Sequence, residues 1–186
     1  MVRPPPALAR LAGLAARGGL APAAALAVAG LGVASCSSPP PAALPAAQVM
    51  SVDTAGQTVT LTLTGSDTSS YGGFNFDGYS TGALTVRVPL GWRVVVECHN
   101  ASSVFTHSCA VIDDVPIAPS GGPIAFSGAS TANPVSGLPC GESASFSFVA
   151  TRTGRYRIAC LVSGHEADGM WDWLVVTSGG RPAVTT

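Results

Sequence analysis

Thr58-Val59-Thr60-Leu61-Thr62-Leu63-Thr64 alternates a polar residue with an apolar one over seven positions. A period of two puts Val59, Leu61 and Leu63 on one face of a strand and the threonines on the other. The pattern returns in Leu84-Thr85-Val86-Arg87-Val88 and in Phe146-Ser147-Phe148. Residues 93–99, 107–112, 156–160 and 171–177 are further strand candidates, set apart by turn signals such as Gly72-Gly73, Pro89-Leu90-Gly91 and Thr153-Gly154. Seven or eight short strands with frequent turns predict an all-β Greek-key sandwich. Residues 113–141, rich in Gly, Pro and Ser, read as a long excursion holding at most one short strand.

Composition agrees with that reading. The 186 residues include 22 Gly and 15 Pro but are only 6% aromatic and 10% charged, which excludes a coiled coil or helical bundle. All nine basic residues are Arg, and no cluster of them could grip a phosphate backbone, so nucleic acid is not an expected partner. The formal charge of -1 hides an asymmetry: beyond residue 35, six Arg oppose ten acids, a net charge of -4.

Residues 1–35 have the layout of a secretory signal, with Arg3, Arg10 and Arg17 ahead of an apolar stretch at 20–34. That stretch is too short, and too broken by Pro22, Gly30 and Gly32, for a membrane-spanning helix. Val33-Ala34-Ser35-Cys36 resembles the lipobox of bacterial lipoproteins, which predicts Cys36 as a lipidated first mature residue and a protein held at a membrane surface. Residues 36–48 then form a Pro-rich spacer. The folded domain is expected over 49–180, with 181–186 as a tail.

The chemistry lies in Cys160-Leu161-Val162-Ser163-Gly164-His165-Glu166-Ala167-Asp168-Gly169-Met170, where a thiol, an imidazole and a thioether stand five residues apart just after a strand. By composition alone a given Cys would meet this spacing about once in four thousand trials. A thiolate and a thioether with imidazole select copper over magnesium or calcium, and a second His would complete a His₂Cys site with a weak axial Met. His107 is the expected fourth ligand, because a strand beside 156–160 brings it to the same end. His99 alternates with Val94, Val96 and Cys98 and so should face outward. Asn100 and Ser108 stand where they could hydrogen-bond around the ligands.

On these residues the chain resembles the cupredoxins, and among them the sulfocyanins. The Cys-x₄-His-x₄-Met loop is shared, as are Phe74-Asn75-Phe76-Asp77-Gly78, the run from Gly82 to Trp92, Ser127-Gly128-Ala129-Ser130 and Gly164 through Trp171. The resemblance implies a seven- or eight-stranded sandwich with one type 1 copper ion, alternating between Cu(I) and Cu(II), on His107, Cys160, His165 and Met170. It also implies that His165 serves as the electron port, with Leu161, Val162 and Gly164 as an apolar patch around it. The partner would be a redox protein, such as a cytochrome or terminal oxidase, met in transient contact.

Three cysteines remain. In the cupredoxin strand order the strand holding Cys98 and the strand 143–149, which Cys140 just precedes, are antiparallel neighbours, which implies a Cys98–Cys140 disulfide, with Cys109–Cys140 as the rival and the last thiol buried. Two other classes fit parts of the chain: a periplasmic copper chaperone or store, which requires an open and exchangeable site, and a metal-free structural lipoprotein, which requires no ligand convergence. An enzyme is not expected, since four protein ligands leave copper no position for substrate.

Overall fold

A computed structural model describes residues 45–119 and 121–186. The signal segment, Cys36 and nearly all of the Pro-rich spacer lie outside the described residues.

After a helical turn at Ala46–Val49, the chain forms β1 (Met50–Asp53), β2 (Thr58–Gly65), β3 (Thr85–Pro89), β4 (Arg93–Asn100), β5 (Ala110–Asp113), β6 (Ser143–Val149), β7 (Gly154–Ala159), β8 (Trp171–Thr177) and β9 (Ala183–Thr185). They make two sheets, ordered β1-β2-β4-β6 and β5-β7-β8-β3-β9. β2 runs parallel to β4 and β3 parallel to β8, while the other pairs are antiparallel. The alternating threonine strand is β2, and Val59, Leu61 and Leu63 are all buried. They meet Val94 and Val96 of β4, Val86 and Val88 of β3, Ile158 of β7, and Leu174 and Val176 of β8 in one core. Burying each such side chain stabilises by about 1.5–3 kcal/mol, so the pattern that specifies the strands also drives the two sheets together.

Two expectations about extent change. Residues 181–186 are not a tail: Ala183, Val184 and Thr185 pair antiparallel with Arg87, Val86 and Thr85, so the sheet continues past residue 180. The expected 107–112 strand begins only at Ala110, and His107 instead makes a single bridge to Leu138. The excursion after β5 contains no named strand among its described residues, but bridges at Ile124, Ser130 and Leu138 hold it against the domain.

The expected Cys98–Cys140 disulfide is also corrected: Cys98 bonds to Cys109, with Cα atoms 6.0 Å apart. Cys98 follows Val94 and Val96 into the core from one sheet, and Cys109 enters from the segment leading into β5 of the other. They are 3% and 1% exposed. Cys140 lies on the surface, with its Sγ 3.5 Å from the Phe105 carbonyl, so the remaining thiol is exposed instead of buried.

Candidate metal centre

β7 ends at Ala159 and β8 begins at Trp171, so residues 160–170 form a loop at one end of the sandwich. Its neck is closed by the Cys160 N–H donating to the Met170 carbonyl at 3.1 Å. Inside the loop, Met170 N–H donates to the His165 carbonyl at 2.9 Å and His165 N–H to the Val162 carbonyl at 3.1 Å. Gly169 has φ +98, and a Cβ there would come within 2.8 Å of Ser80 Oγ, so both the turn and the packing require glycine. These bonds fold the five-residue spacings back so that Cys160, His165 and Met170 cluster.

His107 arrives from the other stretch. Its backbone exchanges two hydrogen bonds with Leu138, at 3.2 and 2.6 Å. Asn100 supports the same pair, because its buried side-chain amide donates to the carbonyls of Leu138 and Phe105, both at 2.9 Å. Asn100 therefore restrains the segment around His107 without touching the sulfur. Ser108 does touch it: the backbone N–H donates to Cys160 Sγ at 3.3 Å and the hydroxyl lies 3.7 Å from the same atom. That hydroxyl also accepts from the Leu161 N–H at 2.9 Å, which ties the two ligand segments together. His99 stays outside, its Nδ1 2.8 Å from Ser143 Oγ.

His107 Nδ1 is 4.0 Å from Cys160 Sγ and His165 Nδ1 is 3.4 Å from it, and one donor atom from each of the three residues falls within 4.8 Å of the others. Met170 is fully buried. A Cβ built on Gly65, the last residue of β2, would lie 3.2 Å from both Met170 Cε and His107 Cβ, so Gly65 makes room where the thioether and the first imidazole approach.

The electrostatics favour a metal over protons. Burial, reinforced by His165, holds the His107 imidazole down at about 4, and burial also lowers His165 against the opposing pull of Asp168. Both rings are therefore neutral and able to donate a lone pair in neutral water. Burial pushes the Cys160 thiol up, against the backbone N–H groups of Ser108 and Val162 and the Ser108 hydroxyl. A thiolate here calls for a compensating cation. One thiol, two imidazoles and a thioether, with no carboxylate among them, fit a single copper ion.

Other residues around the site were not legible in the sequence. Glu166, next to His165, is buried with its Oε1 2.8 Å from Arg157 Nε of β7. Burial raises the Glu166 carboxyl despite that partner. Arg157 also donates to the Val115 carbonyl and reaches Asp114 at 3.4 Å, so one guanidinium joins the ligand loop to the excursion. Of the expected apolar patch, Leu161 is corrected, because it is buried in a small cluster against Trp171, while Val162 and Gly164 remain half-buried. Phe74 and Phe105 also lie beside His165, with ring centroids 4.8 and 6.1 Å from its own. Phe105 is 40% exposed and His165 is 8% exposed.

The chain is similar to several known proteins. A sulfocyanin from Sulfolobus acidocaldarius is 33% identical over 129 residues, which are 66% of this chain and 65% of that protein. The chain thus spans just under two thirds of that relative. Among solved structures, an auracyanin from Roseiflexus castenholzii is 20% identical with a TM-score of 0.47, covering 63% of this chain and 96% of its own. Rusticyanin from Thiobacillus ferrooxidans is 22% identical with a TM-score of 0.47, covering 69% and 86%. The family model of the sulfocyanin (SoxE) domain matches residues 45–183, and the chain therefore belongs to that family of cupredoxins.

Proposed function

We propose that this chain is a type 1 copper protein that passes single electrons between respiratory partners at a membrane surface. The observation that carries the reading is the buried meeting of His107 Nδ1, His165 Nδ1 and Cys160 Sγ, with the buried Met170 thioether beside His107 at Gly65. Bound copper would supply the one-electron couple between Cu(I) and Cu(II). The protein's part is to keep its donors fixed. Backbone bonds clamp the loop, Leu138 and Asn100 hold the His107 segment, and Ser108 directs an N–H at the sulfur. Donors that move little on a change of charge favour fast transfer. His165, beneath the rings of Phe74 and Phe105, is the proposed exit for the electron.

Burial argues against a copper chaperone, because His107, Cys160 and Met170 are sealed from solvent and an exchangeable site needs open donors. The four donors leave no place for a substrate, so we assign no enzymatic reaction. The lipid anchor at Cys36, export across the cytoplasmic membrane, and a cytochrome or terminal oxidase as partner complete the proposal. Tethering would raise the carrier's concentration near that partner.

The test is an optical and paramagnetic-resonance spectrum after addition of Cu(II). The wild type should turn intensely blue, and Cys160→Ser should lose the colour while keeping its far-ultraviolet circular dichroism. A wild type that binds copper without colour would overturn the type 1 assignment. Cys36→Ala should release the protein from membranes, and continued retention would overturn the anchor.

A further inference from the structure

The metal-site thiol shares its surroundings with other cysteines. β5 and β7 pair antiparallel with Ala110 opposite Ala159, and the same register carried one step outward sets Cys109 opposite Cys160. The Leu161 N–H bonded to Ser108 Oγ fits that register one step further on. Side chains along these strands and the residues flanking them divide by face: Cys109, Val111, Ile158 and Cys160 enter the main core, while Ala110, Ile112, Ala159 and Leu161 pack on the other side. Cys109 and Cys160 therefore occupy facing positions and point the same way. Facing residues on antiparallel strands have Cα atoms about 4.5–5.5 Å apart, within the span of a disulfide.

We propose that the Cys98–Cys109 disulfide protects the metal site by engaging a thiol placed to capture Cys160. The inference rests on the reading that Cys160 must stay free to hold copper. Without Cys98, an oxidising compartment offers a competing reaction with a small-molecule disulfide of the glutathione class. The Cys109 thiolate attacks that disulfide and releases one thiol, leaving a mixed disulfide. The Cys160 thiolate then attacks the Cys109 sulfur and releases the second thiol. Two electrons pass to the small disulfide, and Cys160 is lost as a ligand. Sequence separation favours the protective bond, since Cys98 and Cys109 are 11 residues apart and Cys109 and Cys160 are 51. Loop closure weighted by the three-halves power of length gives the shorter loop about a tenfold advantage before the strands are in place.

Two single variants of the full chain test this, because both lose the same disulfide and differ only in the thiol left behind. Each is refolded with oxidised and reduced glutathione, and its disulfides are mapped by mass spectrometry of proteolytic peptides. Cys98→Ala should yield a Cys109–Cys160 cross-link in most molecules, with Cu(II) uptake falling in proportion. Cys109→Ala should leave Cys160 reduced, with uptake near that of the wild type. The double variant Cys98→Ala/Cys109→Ala should match Cys109→Ala. Far-ultraviolet circular dichroism first confirms that each variant keeps its sheets, and Cys98→Val replaces Cys98→Ala should the alanine variant not fold. A Cys98→Ala protein whose Cys160 stays reduced, or whose Cys109 pairs with Cys140, would overturn the proposal. Failure of the copper reading would look different: a wild type with free Cys160 that takes up no Cu(II).

Discussion

Replacing Asp77 by Asn should stabilise the domain in neutral and alkaline solution and do little in acid. Asp77 is 1% exposed, its Oδ1 accepts the Thr64 N–H at 3.0 Å, and its Oδ2 has no hydrogen-bond partner among the described residues. Burial pushes its carboxyl from 3.8 up to about 7, against the Thr64 hydrogen bond. Between a pH of about 4 and about 7 the native state thus holds a proton that the unfolded chain has released. Stability from this group falls as pH rises through that window, by up to ~1.4 kcal/mol per unit, and then levels off. The three-unit displacement sets an upper bound of ~4 kcal/mol on the cost above pH 7. Asn keeps the Oδ1 acceptor, cannot ionise and tolerates the residue's φ of +53. Removing this charge also relieves Asp172, whose carboxyl is pushed to about 8 chiefly by burial, with Asp77 adding to it. Urea unfolding of the metal-free wild type and Asp77→Asn at pH 4, 5, 6, 7 and 8 gives the difference directly. It should be near its minimum at pH 4 and grow by about 2–4 kcal/mol by pH 8. A difference that stays flat across the series would refute the assignment of a neutral, buried Asp77.

Met170→Leu should retain copper and raise the reduction potential measured by voltammetry, at a stability cost below ~1.5 kcal/mol because volume is conserved; an unchanged potential would show that the thioether is not a ligand. Gly65→Ala should keep copper but alter the paramagnetic-resonance spectrum, because the new methyl sits 3.2 Å from Met170 Cε and His107 Cβ, and overpacking there costs about 1–3 kcal/mol. A spectrum identical to that of the wild type would mean the pocket has slack that the geometry does not show.

The sandwich was legible because its strands declare themselves locally: Val59, Leu61 and Leu63 in β2, or Val86 and Val88 in β3, alternate with polar neighbours and need no long-range knowledge. Cys160, His165 and Met170 were legible for the same reason, since one short loop holds all three. His107 required an argument about which strand neighbours which, and the structure brings it to the cluster even though its own strand starts three residues later than expected. The disulfide failed because pairing depends on which way a residue faces. Cys98 declares its inward direction through Val94 and Val96, but Cys109 sits just before β5 and Cys140 in a turn, and no local pattern says which of them Cys98 meets across the two sheets. Glu166 with Arg157, Gly65 with Met170, and Phe105 with His165 are likewise meetings of separate elements that no local pattern announces.

The two phenylalanines beside His165 also shape the water around the site. With little of the imidazole wetted and a hydrocarbon rim around it, few solvent dipoles are close enough to reorient when charge arrives or departs. If His165 is the electron exit proposed above, a docking partner would meet an imidazole already largely shielded, and the exposed part of Phe105 would supply the small apolar area it covers. On the proposed reading, so small a contact would favour brief visits and quick release.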